Sequence, residues 1–508
     1  MTLLWILETT AVVLLLWTAV EAIRRLYFHP IAHIPGPRLA ALTWWYEFYY
    51  DAIQPGQYVF KIQELHKRYG PIIRVTPDGI HINDSGFLDT VYAPAMVRRD
   101  KYDYQLRSLR IPGGVGTTAG YHLHRLRWES LTHFFSKKNI LHLEGLITDK
   151  VEQLKQLIAT HVADNTPVNL SDAFFSFFND VVTNFLFAHL TDILSNESKA
   201  VILRQNSKEL LMGINLNKHF PWIPDFLESL PLSISRPMMP PGLVDMLALF
   251  DSATNSSLSR TPDHQQQQPP PLNPWAQESV FDSVLDAPNL PDAEKTLPRL
   301  EREGTLLALA GTESPAQTLT VAFYHLLANP ALLAKLRQEL RTVPAPASWT
   351  QLEQLPYLSA VIEESNRLSF GPNRPHRLRA VNLHAFRACC PITVQPSRTT
   401  TLSAHTAETV FPEPWVFDPD RWLGDAGRKR RRFQMAVGKG GRRCLGIELA
   451  RAELFLVIAG LVRAFEMTLF ETGEEDVAFR CDYQVAMPGR GSRGVRVRAR
   501  ARMGVGSS

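Results

Sequence analysis

The feature that most constrains this chain is a glycine-rich loop around one cysteine. The loop runs from Val437 to Gly446 and contains four glycines, and Cys444 stands just before an apolar stretch from Ile447 to Leu461 with helical spacing. Glycines leave the backbone uncrowded, so a large flat ligand can approach the sulfur. Neighbouring backbone N–H groups and the helix N-terminus favour a thiolate. The loop therefore suits an axial haem thiolate, and the competing interpretation is a buried, inert cysteine.

Three further motifs precede this loop in a fixed order. They are Ala310-Gly311-Thr312-Glu313-Ser314 within the apolar stretch 300–328, then Glu364-Ser365-Asn366-Arg367, then Phe417-Asp418-Pro419-Asp420-Arg421-Trp422. Each motif is weak alone, but together with the cysteine loop they resemble the signature set of the cytochrome P-450 monooxygenases. The resemblance extends upstream through Pro35-Gly36-Pro37, 66–71, 124–127 and 134–137. Within the family, the N-terminal half looks like the fungal membrane-bound enzymes of secondary metabolism, of the trichodiene oxygenase type.

This resemblance implies a mainly α fold with small β-sheets (α+β), the cytochrome P-450 fold, preceded by a transmembrane helix. It also implies haem b as cofactor and insertion of one oxygen atom from O2 into a small apolar metabolite such as a terpenoid. Electrons would come from NADPH through a separate reductase, because no flavin or dinucleotide fingerprint is visible in the chain.

The resemblance assigns roles to individual residues. Cys444 would bind the iron, Gly440 and Gly446 would lie at the haem, and His124, Arg377 and Arg442 would hold its propionates. Glu364, Arg367 and Arg421 would form a structural triad that holds the cysteine loop in place. The catalytic pair would be Glu313 and Ser314, an acid and a hydroxyl that relay protons to the oxygen side of the haem.

Residue-level reasoning leaves an alternative open around Glu313. Pro315 removes a backbone N–H from an apolar helical stretch, which predicts either a local kink beside an oxygen-binding groove or a helix that ends near Gly311 and restarts at Pro315. In the second case Glu313 would be solvated at the break. For Glu364 and Arg367, three residues apart on one helical face, the alternative is an exposed ion pair.

Length and composition indicate one large catalytic domain. The chain has 508 residues, is 45% hydrophobic and shows no internal repeat. Its net charge of +4 is mild, and its densest basic run, 428–432, lacks interleaved aromatics, which argues against nucleic-acid binding. Four cysteines, two of them adjacent, do not make a disulfide framework and favour a reducing compartment.

The N-terminus predicts a membrane anchor. The stretch Leu3–Val20 is almost wholly apolar and would span roughly 27 Å as a helix. A basic n-region and a clear cleavage site are missing, so an anchor is favoured over a signal peptide. Arg24 and Arg25 follow the span and place the catalytic domain on the cytoplasmic side, which with the family resemblance suggests a single-pass protein of the endoplasmic reticulum.

Hydrophobic periodicity predicts several helices and strands in the rest of the chain. A helix is expected over 58–69, a β-hairpin over 72–75 and 79–82, and helices over 141–159 and 170–190. We expect an anchor at 1–23, a proline-rich joint at 24–40, the catalytic domain at 41–500 and a tail at 501–508. The Ser, Gln and Pro-rich stretch 251–274 is a low-complexity insertion.

The resemblance is imperfect in places. Between Pro372 and Val410 the family's strand pair is not recognisable, which suggests either a gene-model error or real divergence. Val437 stands where the family usually has Phe, and Trp128 where a basic residue is common, with Arg125 or Arg127 as substitutes. Two other functions therefore stay open: a catalytically impaired haem-binding or ligand-binding protein, and a haem-thiolate isomerase or dehydratase that uses no oxygen.

Overall fold

The computed structural model describes residues 2–92, 94, 97–98, 100–109, 111–187, 192–231, 234, 237, 280–371, 378–379, 397–398 and 400–502. The first helices are α1 Thr2–Ile23, α2 Arg38–Leu42, α3 Trp45–Phe48, α4 Tyr58–Tyr69, α5 Leu88–Val91, α6 Asp103–Leu106, α7 Tyr121–Thr132, α8 Lys137–His142, α9 Glu144–Ala163, α10 Leu170–Phe187, α11 Glu197–His219 and α12 Trp222–Ser229. They are followed by α13 Val280–Asp286, α14 Leu297–Ala328, α15 Pro330–Leu340, α16 Trp349–Leu352, α17 Pro356–Leu368, α18 Thr401–His405, α19 Gly424–Arg430 and α20 Ile447–Ala464. The mainly α fold with small sheets is confirmed.

The strands form three small sheets. Their bounds are β1 Ile72–Arg74, β2 Ile80–Ile82, β3 Asp100–Lys101, β4 Val168–Asn169, β5 Leu378–Arg379, β6 Ser397–Arg398, β7 Phe465–Leu469, β8 Cys481–Asp482, β9 Ala486–Met487 and β10 Arg496–Ala501. The described strands pair in the orders β1-β2-β6-β5-β3, β4-β10-β7 and β8-β9. Strands β1 and β2 are antiparallel with Ile73 opposite His81, so the predicted hairpin is confirmed.

Several predicted helices have the expected place. Helix α4 covers the predicted range 58–69, and its buried residues Val59, Ile62 and Leu65 follow the predicted spacing. The helix expected over 141–159 is α9, which begins at Glu144 after the short helix α8 and continues to Ala163. Helix α10 covers 170–187 of the predicted 170–190, and residues 188–190 lie outside the described part. The insertion at 251–274 also lies outside it.

The N-terminal helix projects from the folded body. The stretch Leu3–Phe28 is long and apolar enough to cross a membrane, with a mean hydropathy of 2.0. Its large side chains are exposed along the whole helix, including Trp5 and Trp17. A π-helical turn, Arg24–Phe28, extends α1. The guanidinium of Arg25 then donates to the Leu42 carbonyl at 2.6 Å, so the joint is tied to the body.

Helix α14 is the central element of the fold. It runs without interruption through Pro315, which is buried inside it, so the alternative of a helix break near Gly311 is wrong. The proline costs a backbone hydrogen bond, but burial of both flanks of the helix in the main core, by Leu309, Ala316 and Leu319 among others, keeps the helix continuous. Helix α10 packs along α14, and Val182 of α10 lies directly against Gly311.

We expect Gly311→Ala to destabilise this contact. A Cβ at Gly311 would lie 2.7 Å from the Val182 Cγ2 atom of α10, too close to be accommodated without movement. Such overpacking costs about 1–3 kcal/mol of unfolding free energy. The control is Gly213→Ala on α11, where a Cβ meets nothing within 4 Å and improved helix propensity is the main effect. Thermal unfolding of the solubilised full chain should give a lower midpoint for the first variant only; equal midpoints would contradict the contact.

Candidate active site

The cysteine loop is held in shape by its own backbone. The Cys444 N–H donates to the Val437 carbonyl at 2.8 Å, and the Gly438 N–H donates to the Met435 carbonyl at 2.9 Å. Gly438 and Gly440 have φ values of 67° and 66°, a left-handed conformation that glycine adopts without steric cost. The loop then enters α20 directly after Gly446. The glycines at 438 and 440 are therefore explained by the backbone conformation that the loop requires.

The Cys444 side chain faces an internal space. It has accessible surface although the protein surrounds it closely enough for burial to raise the pKa of its thiol. The Gly446 N–H lowers that pKa, but desolvation outweighs it. The expected effect of a backbone N–H is present, but burial disfavours the charged form more strongly, so the protonated thiol is favoured over the thiolate. A metal cation bound at the sulfur would reverse this balance, since a coordinated thiol is deprotonated.

Helix α14 also has a residue with accessible surface inside the protein, as Cys444 does. Ala310 is exposed, whereas Ala308 and Leu309 beside it are buried in the core. An accessible alanine in the middle of a core helix again indicates an internal space. These two positions belong to the two motifs that the sequence predicted to lie on opposite sides of a flat cofactor.

Positive charge collects near the predicted propionate ligands. Arg442 donates to the carbonyl oxygens of Thr118 and Ala119, both at 2.8 Å. The nearby His124 is buried, and desolvation together with the charges of Arg442 and Lys101 lowers its pKa to about 3. The Asp100 carboxylate offsets part of the Arg442 charge, and the carboxylates of a haem would add further negative charge beside these cations. Arg377 lies outside the described residues.

Trp128 lies one helical turn after His124, on the same face of α7. Its Nε1–H is buried and has no acceptor within the described part of the chain. A buried donor without an acceptor is costly, so this atom marks a place for a hydrogen-bond acceptor. With the accessible sulfur of Cys444, the guanidinium of Arg442 and the imidazole of His124, this donor makes a set of residues that fits a haem. Sequence reasoning treated Trp128 only as a departure from the family.

The two arginines considered as substitutes for Trp128 have other partners. Arg125 pairs with Glu129 at 2.6 Å on the surface. Arg127 donates to both carboxylate oxygens of Glu294, at 2.7 and 2.9 Å, and to the Thr118 hydroxyl at 2.7 Å. Arg127 therefore braces the loop before α7.

The structure brings Glu364, Arg367 and Arg421 together. Arg367 donates to both oxygens of Glu364 at 2.8 and 2.7 Å, and Arg421 donates to Glu364 Oε1 at 3.0 Å. Trp422 Nε1–H, which sequence reasoning did not assign, donates to Glu364 Oε2 at 2.8 Å. Glu364 and Arg367 have no exposed surface, so the alternative of an exposed ion pair is wrong.

The two arginines of this cluster also hold backbone. Arg367 donates to the carbonyls of His405 and Val416 at 3.1 and 3.2 Å, and also to the Pro414 carbonyl. Arg421 donates to the Pro412 and Val416 carbonyls at 3.0 and 3.1 Å. The cluster thus fixes the irregular segment that leads toward the cysteine loop.

Glu313 lines a cavity beside α14. The cavity has a volume of about 260 Å³ and lies between α10, α11, α14 and the segment that follows β8. Burial raises the pKa of Glu313, while the Ser207 hydroxyl and the charges of Arg204 and Lys208 act in the opposite direction. Burial also lowers the pKa of Lys208 to about 8. Burial thus favours the protonated form of Glu313, which lines this cavity together with Lys208.

Ser314, the second member of the predicted catalytic pair, follows Glu313 on α14 and is partly accessible. Its carbonyl accepts from the Thr318 hydroxyl at 3.2 Å. Arg204 and Lys208, which the structure adds to the site, lie about a hundred residues upstream on α11. They carry no motif that could have identified them in the sequence.

Comparison with known proteins gives consistent matches. Residues 35–490 match the family model described as cytochrome P-450. The chain is 34% identical to cytochrome P-450 monooxygenase tpcC of Cochliobolus heterostrophus, with 93% of each chain covered. It is 30% identical to cytochrome P-450 monooxygenase TRI4 of Trichoderma arundinaceum, over 89% of this chain and 87% of that protein. Conidiogenone synthase PchP450 of Penicillium rubens is 33% identical, over 94% and 95%.

The fold has a counterpart among solved structures. The crystal structure of a cytochrome P-450, CYP102L1, matches with a TM-score of 0.66 and covers 87% of this chain and 94% of its own. The sequence identity is 17%, so this match speaks for the fold alone.

Proposed function

Since this chain belongs to the cytochrome P-450 family, we propose that it is a membrane-bound haem-thiolate monooxygenase that inserts one oxygen atom from O2 into an apolar secondary metabolite. The observation that carries the proposal is Cys444, an accessible sulfur inside the protein, in a loop whose glycines leave room for a flat ligand. A terpenoid is the proposed substrate class, from the resemblance to trichodiene oxygenase and the relationship to TRI4.

We assign the haem contacts as follows. Cys444 would bind the iron of haem b through its sulfur, and Gly440 and Gly446 would leave space beside it. Arg442, His124 and the Nε1–H of Trp128 would hold its propionates, and Arg377 stays a proposal from the family resemblance. When bound, the haem supplies the iron at which O2 is activated. The protein residues hold the group, exclude water around it and move protons.

Glu313 is the proposed proton carrier. Its carboxyl lines the polar cavity together with Lys208 and Arg204, and Ser314 follows it directly on the same helix. A buried carboxyl with a raised pKa can hold a proton until a neighbouring hydroxyl accepts it. Lys208 would reload Glu313 from the cavity side, because its own pKa is lowered toward neutral.

We expect Glu313→Gln to slow turnover by about a hundredfold or more, since a positioned acid contributes roughly 10²–10⁴ to rate. The amide keeps the shape of the side chain and loses the transferable proton. The measurement is product formed per NADPH consumed in microsomes, with the solvent isotope effect on turnover. Glu313→Asp should recover part of the rate. Wild-type turnover in Glu313→Gln, with an unchanged carbon monoxide spectrum, would show that the proton takes another route.

The membrane position rests on α1 and on exposed aromatic residues of the body. Trp45 of α3 and Trp222 and Phe226 of α12 are each more than half exposed. Trp45 also lies 6.0 Å from the Phe220 ring that precedes α12, so the two helices present one apolar surface. We propose an anchor at 1–23 in the endoplasmic reticulum, a joint at 24–40, a cytoplasmic catalytic domain at 41–500 with its insertion at 251–274, and a tail at 501–508. An NADPH-dependent reductase in the same membrane would supply electrons.

The experiment has two parts. The reduced full-length protein in microsomes should give the strongly red-shifted carbon monoxide band of thiolate-bound haem. Terpenoid substrates should then be converted only when NADPH, reductase and O2 are all present. A thiolate band without any turnover would favour the impaired protein, and turnover without NADPH and O2 would favour an isomerase or dehydratase. Absence of haem in folded protein would overturn the proposal.

A further inference from the structure

We infer that His405 is a positioning residue for the cysteine loop, joining the buried Glu364–Arg367 pair to the backbone at Met435 from which the loop starts. The inference rests on the proposed role of Cys444 as haem ligand. It adds a titratable link between the structural triad and the thiolate, which neither the sequence motifs nor the family comparison assigned.

Both nitrogens of the His405 ring have a hydrogen-bond partner. His405 ends α18 and has no exposed surface. Its Nδ1 lies 2.8 Å from the Arg367 carbonyl oxygen, and the Met435 N–H reaches its Nε2 at 2.8 Å. In return, Arg367 Nη1 donates to the His405 carbonyl at 3.1 Å. The imidazole is therefore clamped between the end of α17 and the start of the loop.

These partners assign the protonation state of the ring. A carbonyl oxygen only accepts, so Nδ1 must carry the hydrogen that it donates to Arg367. A backbone N–H only donates, so Nε2 must be the acceptor for Met435. The neutral Nδ1–H form satisfies both bonds. Protonation would place a second hydrogen on Nε2 against the Met435 N–H and break the link to the loop.

The loop depends on Met435 at its first turn. The Met435 carbonyl accepts from Gly438 N–H at 2.9 Å, and the neighbouring Val437 carbonyl accepts from Cys444 N–H at 2.8 Å. A shift of Met435 would therefore be passed through the backbone of Val437 to the cysteine. The link is short, consisting of two hydrogen bonds of the His405 ring and two backbone hydrogen bonds of the loop.

The surroundings of His405 keep it neutral. Burial lowers its pKa to about 3, and the positive charge of Arg367 acts in the same direction. The rings of Phe370 and Phe411, which lie 5.9 and 6.4 Å away, carry no titratable group, and neither does Met435. The carboxylate of Glu364 is bonded to Arg367 and Arg421 beyond the ring. In a released loop the ring would regain an ordinary pKa near 6.5.

This difference gives a signed pH dependence. As pH falls below about 6.5, a state with the loop released gains one proton that the native state does not bind, so release becomes easier by up to about tenfold per pH unit. The effect is absent above 6.5 and ends near the native pKa of about 3. The expected signature is an acid-driven conversion of the thiolate carbon monoxide band to the non-thiolate band.

The experiment compares His405→Gln and His405→Phe with His325→Phe in the full-length reduced protein. His325 is the matched control, because burial lowers its pKa to about 4 and the charges of the same Glu364 and Arg367 act on it, while its ring stacks on Phe417 at 4.7 Å. His405→Phe removes both bonds, and the ratio of non-thiolate to thiolate band at neutral pH should rise about tenfold or more. His405→Gln keeps an acceptor and cannot titrate, so its acid conversion should be shallower by one proton.

Three results would overturn the inference. His405→Phe could keep the wild-type band ratio, His405→Gln could keep the wild-type acid slope, or His325→Phe could change both as strongly. If His405→Phe does not fold, His405→Gln carries the test. Absence of a thiolate band from the wild type itself would instead refute the proposed function, so the two failures are distinguishable.

Discussion

Glu364→Gln is expected to yield little or no haem-loaded protein. Glu364 accepts from Arg367, Arg421, the Trp422 Nε1–H and the Asp418 N–H, the last at 2.9 Å. A glutamine offers one acceptor oxygen, and its amide hydrogens would face guanidinium hydrogens. The change also leaves Arg367, which has no exposed surface, without a counter-charge. Breaking a buried ion pair in this way costs about 3–5 kcal/mol of unfolding free energy.

The measurement is the amount of thiolate carbon monoxide band per unit of protein, together with the thermal unfolding midpoint. Glu363→Gln is the control, because it makes the same chemical change one residue earlier. Glu363 is partly exposed and makes one long ion pair of 3.9 Å with Arg431, which is worth little. It also accepts from Gln434 Nε2–H at 3.1 Å, a bond that the amide oxygen of glutamine can keep. Glu363→Gln should keep the wild-type band. If Glu364→Gln and Glu363→Gln gave the same band and the same unfolding midpoint, the structural triad would not be what holds the cysteine loop in place.

Much of the fold could be predicted because several elements carry a strong local signal. Helix α4 has both an apolar period and a closing glycine, Gly70, with φ of 94°, so its bounds were predictable. Whether the helix continues through Pro315 could not be predicted from the sequence. Local rules allow either a kink or a break, whereas the helix is continuous and packs against α10, a long-range contact that no local pattern encodes.

The candidate site also has a part that the sequence predicted and a part that it did not. Glu364 and Arg367 lie three residues apart, so their common face follows from helix geometry, whereas Trp422 as a further donor to Glu364 does not. The partners of Glu313 lie on α11 and come together with it only in the folded chain. Cys444 shows a conflict between two local effects: backbone N–H groups favour the thiolate, and burial, which the sequence did not reveal, outweighs them.

Cys444→Ser is expected to abolish the thiolate carbon monoxide band and all NADPH-dependent turnover. A hydroxyl is far less acidic than a thiol, and the same burial that raises the pKa of Cys444 would keep a serine protonated. The loop should keep its shape, since the Cys444 N–H bond to Val437 is made by the backbone. Thermal unfolding without haem should therefore be close to wild type.

The matched control is Cys481→Ser on β8, the other free cysteine in the described part of the chain, which is partly exposed. It replaces sulfur by oxygen at a site remote from the loop, so it should keep both the band and turnover. Haem binding in Cys444→Ser separates two contributions. If haem is retained with a non-thiolate spectrum, the buried donors Trp128, His124 and Arg442 hold it through its carboxylates. If a normal thiolate band persists in Cys444→Ser, Cys444 is not the ligand.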